Sequence, residues 1–441
     1  MRPERLALNN KRKQYVKRWT NGLTVATIFL LGNGACTAAV DLLDDPQVQF
    51  LQAIEERNNG SLENAIELFK SILSEHPSLH RARLELAVAY YQALNFAEGR
   101  NQAMTVLNNP NTPANVRPKI RAFLDVLQAN AQENRWSPFI TLGFLYDTNV
   151  NAGPDDDTIP TGGGSIVLIP SAVARVDYGY NLSTGISHRY LAQSPISIAD
   201  SEVSLVWYSK ANVYRMDYNA ENDRDLDLLS FSTGPTLVAA RKYRAGINFS
   251  ADHMRLGEDN EAYLNTYGVT PKISWIFYEQ SAELTADIKL QKSDYLQDAN
   301  DARDGYRYIG GLSLRKTLRR ERMAVEGRVE FFDQETEEGR YAYKGSQLML
   351  GASYQPSKRS NLYTRLQFEK SDYDELDGAF GVVRDEKKQR AIIGASHSFS
   401  KSSSLSGWTI DGSYAFTNNI SNIELYEYRR KQLGIRVSRS F

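Results

Sequence analysis

The spacing of hydrophobic positions changes once along the chain, within Trp136 to Pro154 (WSPFITLGFLYDTNVNAGP). Between about 44 and 133 apolar residues recur at helical spacing; from 137 to 441 they alternate with polar residues in separate runs. Inside the transition, Ile140, Leu142 and Phe144 alternate with Thr141 and Gly143, and a turn cluster from Asn149 to Asp157 ends the run. The stretch therefore predicts the first strand of a large β-domain and the hinge between two folds.

The helical part repeats itself at an offset of 34 residues: Ala53 with Ala87, Leu62 with Phe96, Ala65 with Gly99, Phe69 with Ala103, Ile72 with Val106. That is the spacing of tetratricopeptide repeats, each a helical hairpin stacked on the next. Small residues at 53, 65, 87 and 99 let paired helices approach, and Asn59-Gly60 supplies a turn. A further helix is expected over 113–132, capping the stack with Ile120, Phe123, Leu124 and Leu127 on one face. In such arrays the first helix of each unit lines an inner groove, so Arg57, Asn58, Arg81, Tyr91 and Gln92 are candidate client-binding residues. The competing reading is a spacer or plug with no client of its own.

In the second part, Leu284, Ala286, Ile288 and Leu290 oppose Glu283, Thr285, Asp287, Lys289 and Gln291. Met323, Val325, Val329 and Phe331 oppose Glu326, Arg328 and Glu330; Leu433, Ile435 and Val437 oppose Gln432, Arg436 and Ser438. A period of two with a charged second face fits strands between lipid and water. Fourteen such runs are predicted between 137–148 and 425–441, each longer than the roughly 9–11 residues of a tilted membrane strand. The fold class is thus an N-terminal tetratricopeptide-like α-solenoid (44–133) followed by a fourteen-stranded antiparallel outer-membrane β-barrel (137–441).

Connections alternate in length. Arg241-Lys242, Tyr278 to Gln280, Arg320-Glu321, Ser357 to Ser360 and Lys401 to Leu405 are tight, apart from a wider turn at 191–199; the others, 149–171, 257–261, 295–303, 375–384 and 419–424, are mostly longer and richer in Gly, Asp and Asn. Short periplasmic turns and long outer loops are the rule for such barrels, which places both barrel ends and the helices in the periplasm. Tyr146, Tyr263, Tyr267, Trp275, Tyr306, Tyr308, Tyr426 and Tyr428 near strand ends suit interfacial girdles. Phe441, closing the last run, reads as the signal offered to the barrel assembly machinery.

Composition narrows the function. A net charge of −1 and a pI near 6.6 leave no dominant basic patch, so a nucleic-acid partner is excluded. Residues 1–39, with a basic start, the apolar core Leu23 to Leu31 and Thr37-Ala38-Ala39, predict a signal peptide. The single cysteine, Cys36, falls inside it, so disulfides and cysteine-based metal sites are not expected in the mature chain. Asp252-His253, Ser187-His188 and Ser396-His397 fail as catalytic pairs, because neighbours on a strand point to opposite faces. No enzyme, cofactor or metal is expected; Asp155-Asp156-Asp157 reads as a solvated acidic loop.

Taken together, the chain resembles the Slam family, the surface lipoprotein assembly modulators of Gram-negative outer membranes. The sharpest local likeness is Tyr146-Asp147-Thr148-Asn149-Val150-Asn151, which resembles the family's first-strand signature. The resemblance implies a non-enzymatic translocator that delivers surface lipoproteins, or secreted haem- and metal-acquisition proteins, across the outer membrane. Its partners would be outer-membrane lipid, the client and the barrel assembly machinery. The periodicity alone leaves a passive solute channel as the alternative. A lateral opening is sought where the first strand meets the last. Tyr146, Asp147, Asn149 and Asn151 are expected to matter more to secretion than to barrel stability.

Overall fold

A computed structural model describes residues 46–161, 163–192, 195–198, 201–277, 281–318, 322–400 and 402–441. The expected signal peptide with Cys36 lies outside these residues, as do Gly162 and the expected turn residues Tyr278 to Gln280, Arg319 to Glu321 and Lys401.

Among the described residues five helices come first: α1 (Pro46–Asn59), α2 (Leu62–Glu75), α3 (His80–Gln92), α4 (Phe96–Leu107) and α5 (Arg117–Asn130). Gly60, at φ 93°, turns the chain between α1 and α2, a left-handed backbone that glycine adopts without strain. Phe50, Ala53, Leu62, Ala65, Phe69, Ile72, Leu86 and Ala89 form one buried cluster. Ala53, Ala65 and Ala87 are fully buried, and a Cβ on Gly99 would sit 3.1 Å from Ala87 O, so small residues do set the helix spacing.

The strands follow as β1 (Asn134–Asp147), β2 (Thr158–Thr161), β3 (Gly164–Val167), β4 (Asp177–Leu191), β5 (Ile196–Ile198), β6 (Ser201–Tyr218), β7 (Leu226–Ala239), β8 (Tyr243–Leu256) and β9 (Glu261–Phe277). They continue as β10 (Ala282–Tyr295), β11 (Gly305–Leu318), β12 (Met323–Thr336), β13 (Tyr343–Ser357), β14 (Ser360–Asp377), β15 (Val382–Ser398), β16 (Trp408–Ser421) and β17 (Tyr428–Ser440). Fourteen of them, β1, β4 and β6 to β17, form a closed antiparallel barrel; β1 pairs with both β4 and β17 and so removes every free edge. β2 and β3 make a separate hairpin in the first long loop, and β5 adds to the start of β6.

Register confirms the two-faced reading. Leu142 lies opposite Leu182 and Val437, Ile273 opposite Ala286, and Val329 opposite both Leu312 and Leu348, so apolar side chains share the outer face. Many of them, including Leu142, Ile288, Leu312, Phe331, Phe368 and Ile435, are exposed, as an apolar band meeting lipid must be. The inner face holds paired charges. Arg328 donates to both Asp287 oxygens at 2.7 and 2.8 Å and to Glu330 at 2.6 Å, and Arg436 reaches Asp411 at 2.7 Å.

The helices do not stand clear of the barrel. Phe96 and Leu127 pack with Leu191 of β4 and Val206 of β6, and Val238 of β7 joins them. Leu191 and Val238 are register neighbours, or neighbours but one, of Val206, on the inner face. α5 packs on the last helical hairpin through Ile120, against Ala87, Ala103 and Val106, and also reaches the barrel wall through Leu127. Polar contacts reinforce the seat. Arg241 donates to Arg57 O at 2.7 Å, Lys242 pairs with Glu63 at 3.0 Å, and Arg189 donates to Asn130 O and Gln132 O at 3.3 Å.

Candidate functional site

The signature stretch sits at the loop end of the closure seam. Asp147 is fully buried on the inner face of β1, opposite Gln432 of β17. Arg430 Nε donates to its two carboxylate oxygens at 2.9 and 2.8 Å, and Gln432 Nε2 donates at 2.8 Å. The Asn149 N–H donates to Asp147 Oδ1 at 3.0 Å. An ionised carboxylate out of water is tolerated only when its lone pairs are taken up this way.

Asn149, also fully buried, holds the next turn. Its amide nitrogen donates to Gly153 O at 2.8 Å and Arg429 O at 3.1 Å, and its oxygen accepts from the Gly153 N–H at 3.0 Å. Thr148 exchanges bonds with Lys431, its N–H donating to Lys431 O at 3.0 Å and its hydroxyl accepting from the Lys431 N–H at 2.9 Å. Asn151 fastens the far arm of the loop, donating to Val173 O at 2.8 Å and accepting from the Arg175 N–H at 3.1 Å. Tyr146 stands apart: it faces outward, opposite Tyr178, and is exposed. Asp147, Asn149 and Asn151 thus form one clasp that joins first strand, last strand and first loop. Its members were legible as a motif; their joint partner Arg430 was not, because the pairing spans the whole barrel sequence.

The five candidate client residues lie on α1 and α3. Arg57 forms an ion pair with Glu85 of α3, and its backbone carbonyl is taken by Arg241. Arg81 lies 5.0 Å above the Phe50 ring. Tyr91 is packed between Phe96 and Phe123, with ring centroids at 5.8 and 5.9 Å. Gln92 Oε1 is buried without a hydrogen-bond partner, and Asn58 is exposed beside Arg57. Arg57 and Tyr91 serve the docking of helices to helices and to barrel.

The histidine pairs behave as strand geometry requires. His253 Nδ1 meets Asn265 Oδ1 at 2.8 Å, while Asp252 accepts from Thr266 at 3.0 Å. His188 bonds Asn134 at 2.8 Å and stacks on Trp136 at 4.0 Å. A cross-strand contact, Ser360 Oγ to His397 Nδ1 at 2.9 Å, is exposed. Among the described residues no group of three or more His, Cys, Asp or Glu side chains is placed to hold a metal ion.

The sequence model of the surface lipoprotein assembly modifier family matches residues 136–441, the closed barrel but for the first two residues of β1. The chain belongs to this family. A surface lipoprotein assembly modifier of Pasteurella multocida (strain Pm70) is 29% identical over 111 residues, which is 25% of this chain and 21% of the relative. The chain therefore aligns with about a fifth of that relative's length. Among solved structures, OmpT of Vibrio cholerae (9% identity, TM-score 0.39) covers 70% of this chain and 98% of its own. A Pseudomonas aeruginosa FadL homologue (8% identity, TM-score 0.38) covers 71% and 91%. Membership of the assembly-modifier family and a closed barrel with an apolar outer band make this an outer-membrane protein.

This family barrel carries one feature that sequence reasoning missed and one that it left open. The β2–β3 hairpin folds onto neighbouring loops: Ile159, buried, packs with Phe380 and Ile423, with Leu168 and Tyr426 alongside. Burial pushes the Tyr426 hydroxyl above its ordinary pKa, and it donates to Asp377 at 3.0 Å. Isolated apolar residues in acidic loops were the available signal. The second feature is the helix seat. Val203-Ser204-Leu205-Val206-Trp207 and Leu237-Val238-Ala239-Ala240 are apolar on both faces, which a barrel strand facing water inside has no reason to be.

Proposed function

We propose that this chain is a non-enzymatic translocator that assists lipoproteins, or secreted haem- and metal-acquisition proteins, across the outer membrane. The observation that carries this reading is the helix seat inside the turn end of a barrel of the assembly-modifier family. A helical array fixed there stands where a client from the periplasm would enter. The helices act in this reading as a short tetratricopeptide-like receiving platform, the turn end faces the periplasm, and Phe441 is the residue offered to the barrel assembly machinery. The name of the P. multocida relative, a modifier of surface lipoprotein assembly, supports the client class.

A passive channel needs an open lumen. Fourteen strands are fewer than the roughly 16–18 of porins with aqueous channels. Leu191, Val206 and Val238 carry apolar helix contacts where solute would enter. Surface labelling of lipoproteins in cells with and without the gene tests the proposal: loss of labelling of one or a few lipoproteins is expected, and unchanged labelling of all of them overturns it. A large steady conductance in planar bilayers would favour the channel.

A further inference from the structure

We propose that a concavity on the outer, lipid-facing wall of β6 to β12 is a docking groove for the acyl chains of a client's lipid anchor. This rests on the translocator reading above. The groove has a volume of about 1160 Å³. It runs from Leu205 and Leu237 near the turn end, past Ile247, Ile273 and Ile288, to Phe331 at mid-wall. That exceeds the roughly 300–1,000 Å³ of common small-ligand pockets.

Backbone chemistry explains why the wall is hollowed here. Pro235 and Pro271 stand mid-strand in β7 and β9, where a proline has no N–H for the ladder. The β7–β8 register runs to Thr233–Phe249 and resumes at Thr236–Gly246; the β9–β10 register breaks between Lys272–Asp287 and Val269–Leu290. At the first break a Cβ on Gly234 would lie 1.9 Å from Ile247 O, so only glycine permits that approach of the two strands.

Two observations select the occupant. The named lining residues share the outer face with the exposed apolar band, so the groove opens to hydrocarbon, where a peptide with free backbone polar groups is costly and an acyl chain is not. Its turn-end mouth lies on the strands that seat the helices: Leu205 and Leu237 face out where Val206 and Val238 face the helices. A client held by the helices would thus have its anchor beside the mouth. Bulk phospholipid has no such relation to the helices.

The test uses the full chain in phosphatidylethanolamine and phosphatidylglycerol vesicles, with Trp19, Trp136, Trp207, Trp275 and Trp408 replaced by Phe. Ile288→Trp reports the groove, and Leu366→Trp reports the outer face of β14. The probes are a synthetic triacylated cysteine peptide with brominated chains and brominated phosphatidylethanolamine. Lipopeptide should quench position 288 about twofold or more above position 366, and phospholipid should quench both alike. Gly310→Phe, whose side chain would enter open space, should abolish the excess while heat-modifiable migration stays normal. Equal quenching by lipopeptide at both positions, an equal excess with phospholipid, or an excess that survives Gly310→Phe overturns the groove. Gene deletion that leaves lipoprotein surface labelling unchanged overturns the translocator reading instead, so the two failures are distinguishable.

Discussion

The closure seam and the β6–β10 wall solve opposite problems. At the seam, β1 and β17 pair from Phe139–Ser440 to Asp147–Gln432, and a buried polar clasp locks the loop end. In the β6–β10 wall the ladder is interrupted twice by proline, and both faces near the turn end are apolar. The seam was the natural place to seek a lateral opening, since first and last strands meet there. The structure joins β1 to β17 over the register Phe139–Ser440 to Asp147–Gln432, the shortest pairing of any junction in the wall, and adds the clasp at its loop end, while the proline breaks lie in β7–β8 and β9–β10.

The largest expected effect attacks the seam. Asp147→Ala leaves Arg430 without its carboxylate and removes the acceptor of the Asn149 N–H; we expect a loss of about 3–5 kcal/mol, read as a lower heat-modification temperature. A variant as stable as the parent, yet defective in secretion, would return these residues to a purely secretory role. Leu127→Ala tests the inner cover of the other wall. It should cost about 3 kcal/mol and speed protease cleavage of the helices, with barrel migration unchanged.

Smaller effects sharpen the contrast. Pro271→Val restores a ladder donor and should stabilise by about 1 kcal/mol, seen as slower hydrogen exchange of the β9–β10 amides; faster exchange would mean the break is not proline's doing. Lys242→Ala removes a partly exposed pair with Glu63 and should cost under about 1 kcal/mol, an effect that fades with added salt.

The strands were legible because each crosses from lipid to a polar interior, and that boundary writes a period of two into the sequence. β8 spans Tyr243–Leu256 as the alternation predicts, and β1 and β17 close the barrel as first and last strands must. Helix positions were legible for the same kind of reason: Ala53, Ala65, Ala87 and Gly99 are small because another helix lies against them. The candidate site was legible only in part. Asp147, Asn149 and Asn151 form a recognisable local string, but their meaning depends on Arg430, Gln432 and Val173, brought near by closure.

By itself, then, the sequence determined the two fold classes, the number of wall strands and which face of each meets lipid. These follow from local periodicity, which needs no knowledge of neighbours. Tertiary structure alone decided that the helices enter the turn end, that Arg57 and Tyr91 serve docking, that the signature is a clasp, and that the wall is hollowed at Pro235 and Pro271. Each of those depends on residues far apart in the chain meeting across a closed sheet, and a pattern read along one strand carries no record of its partner.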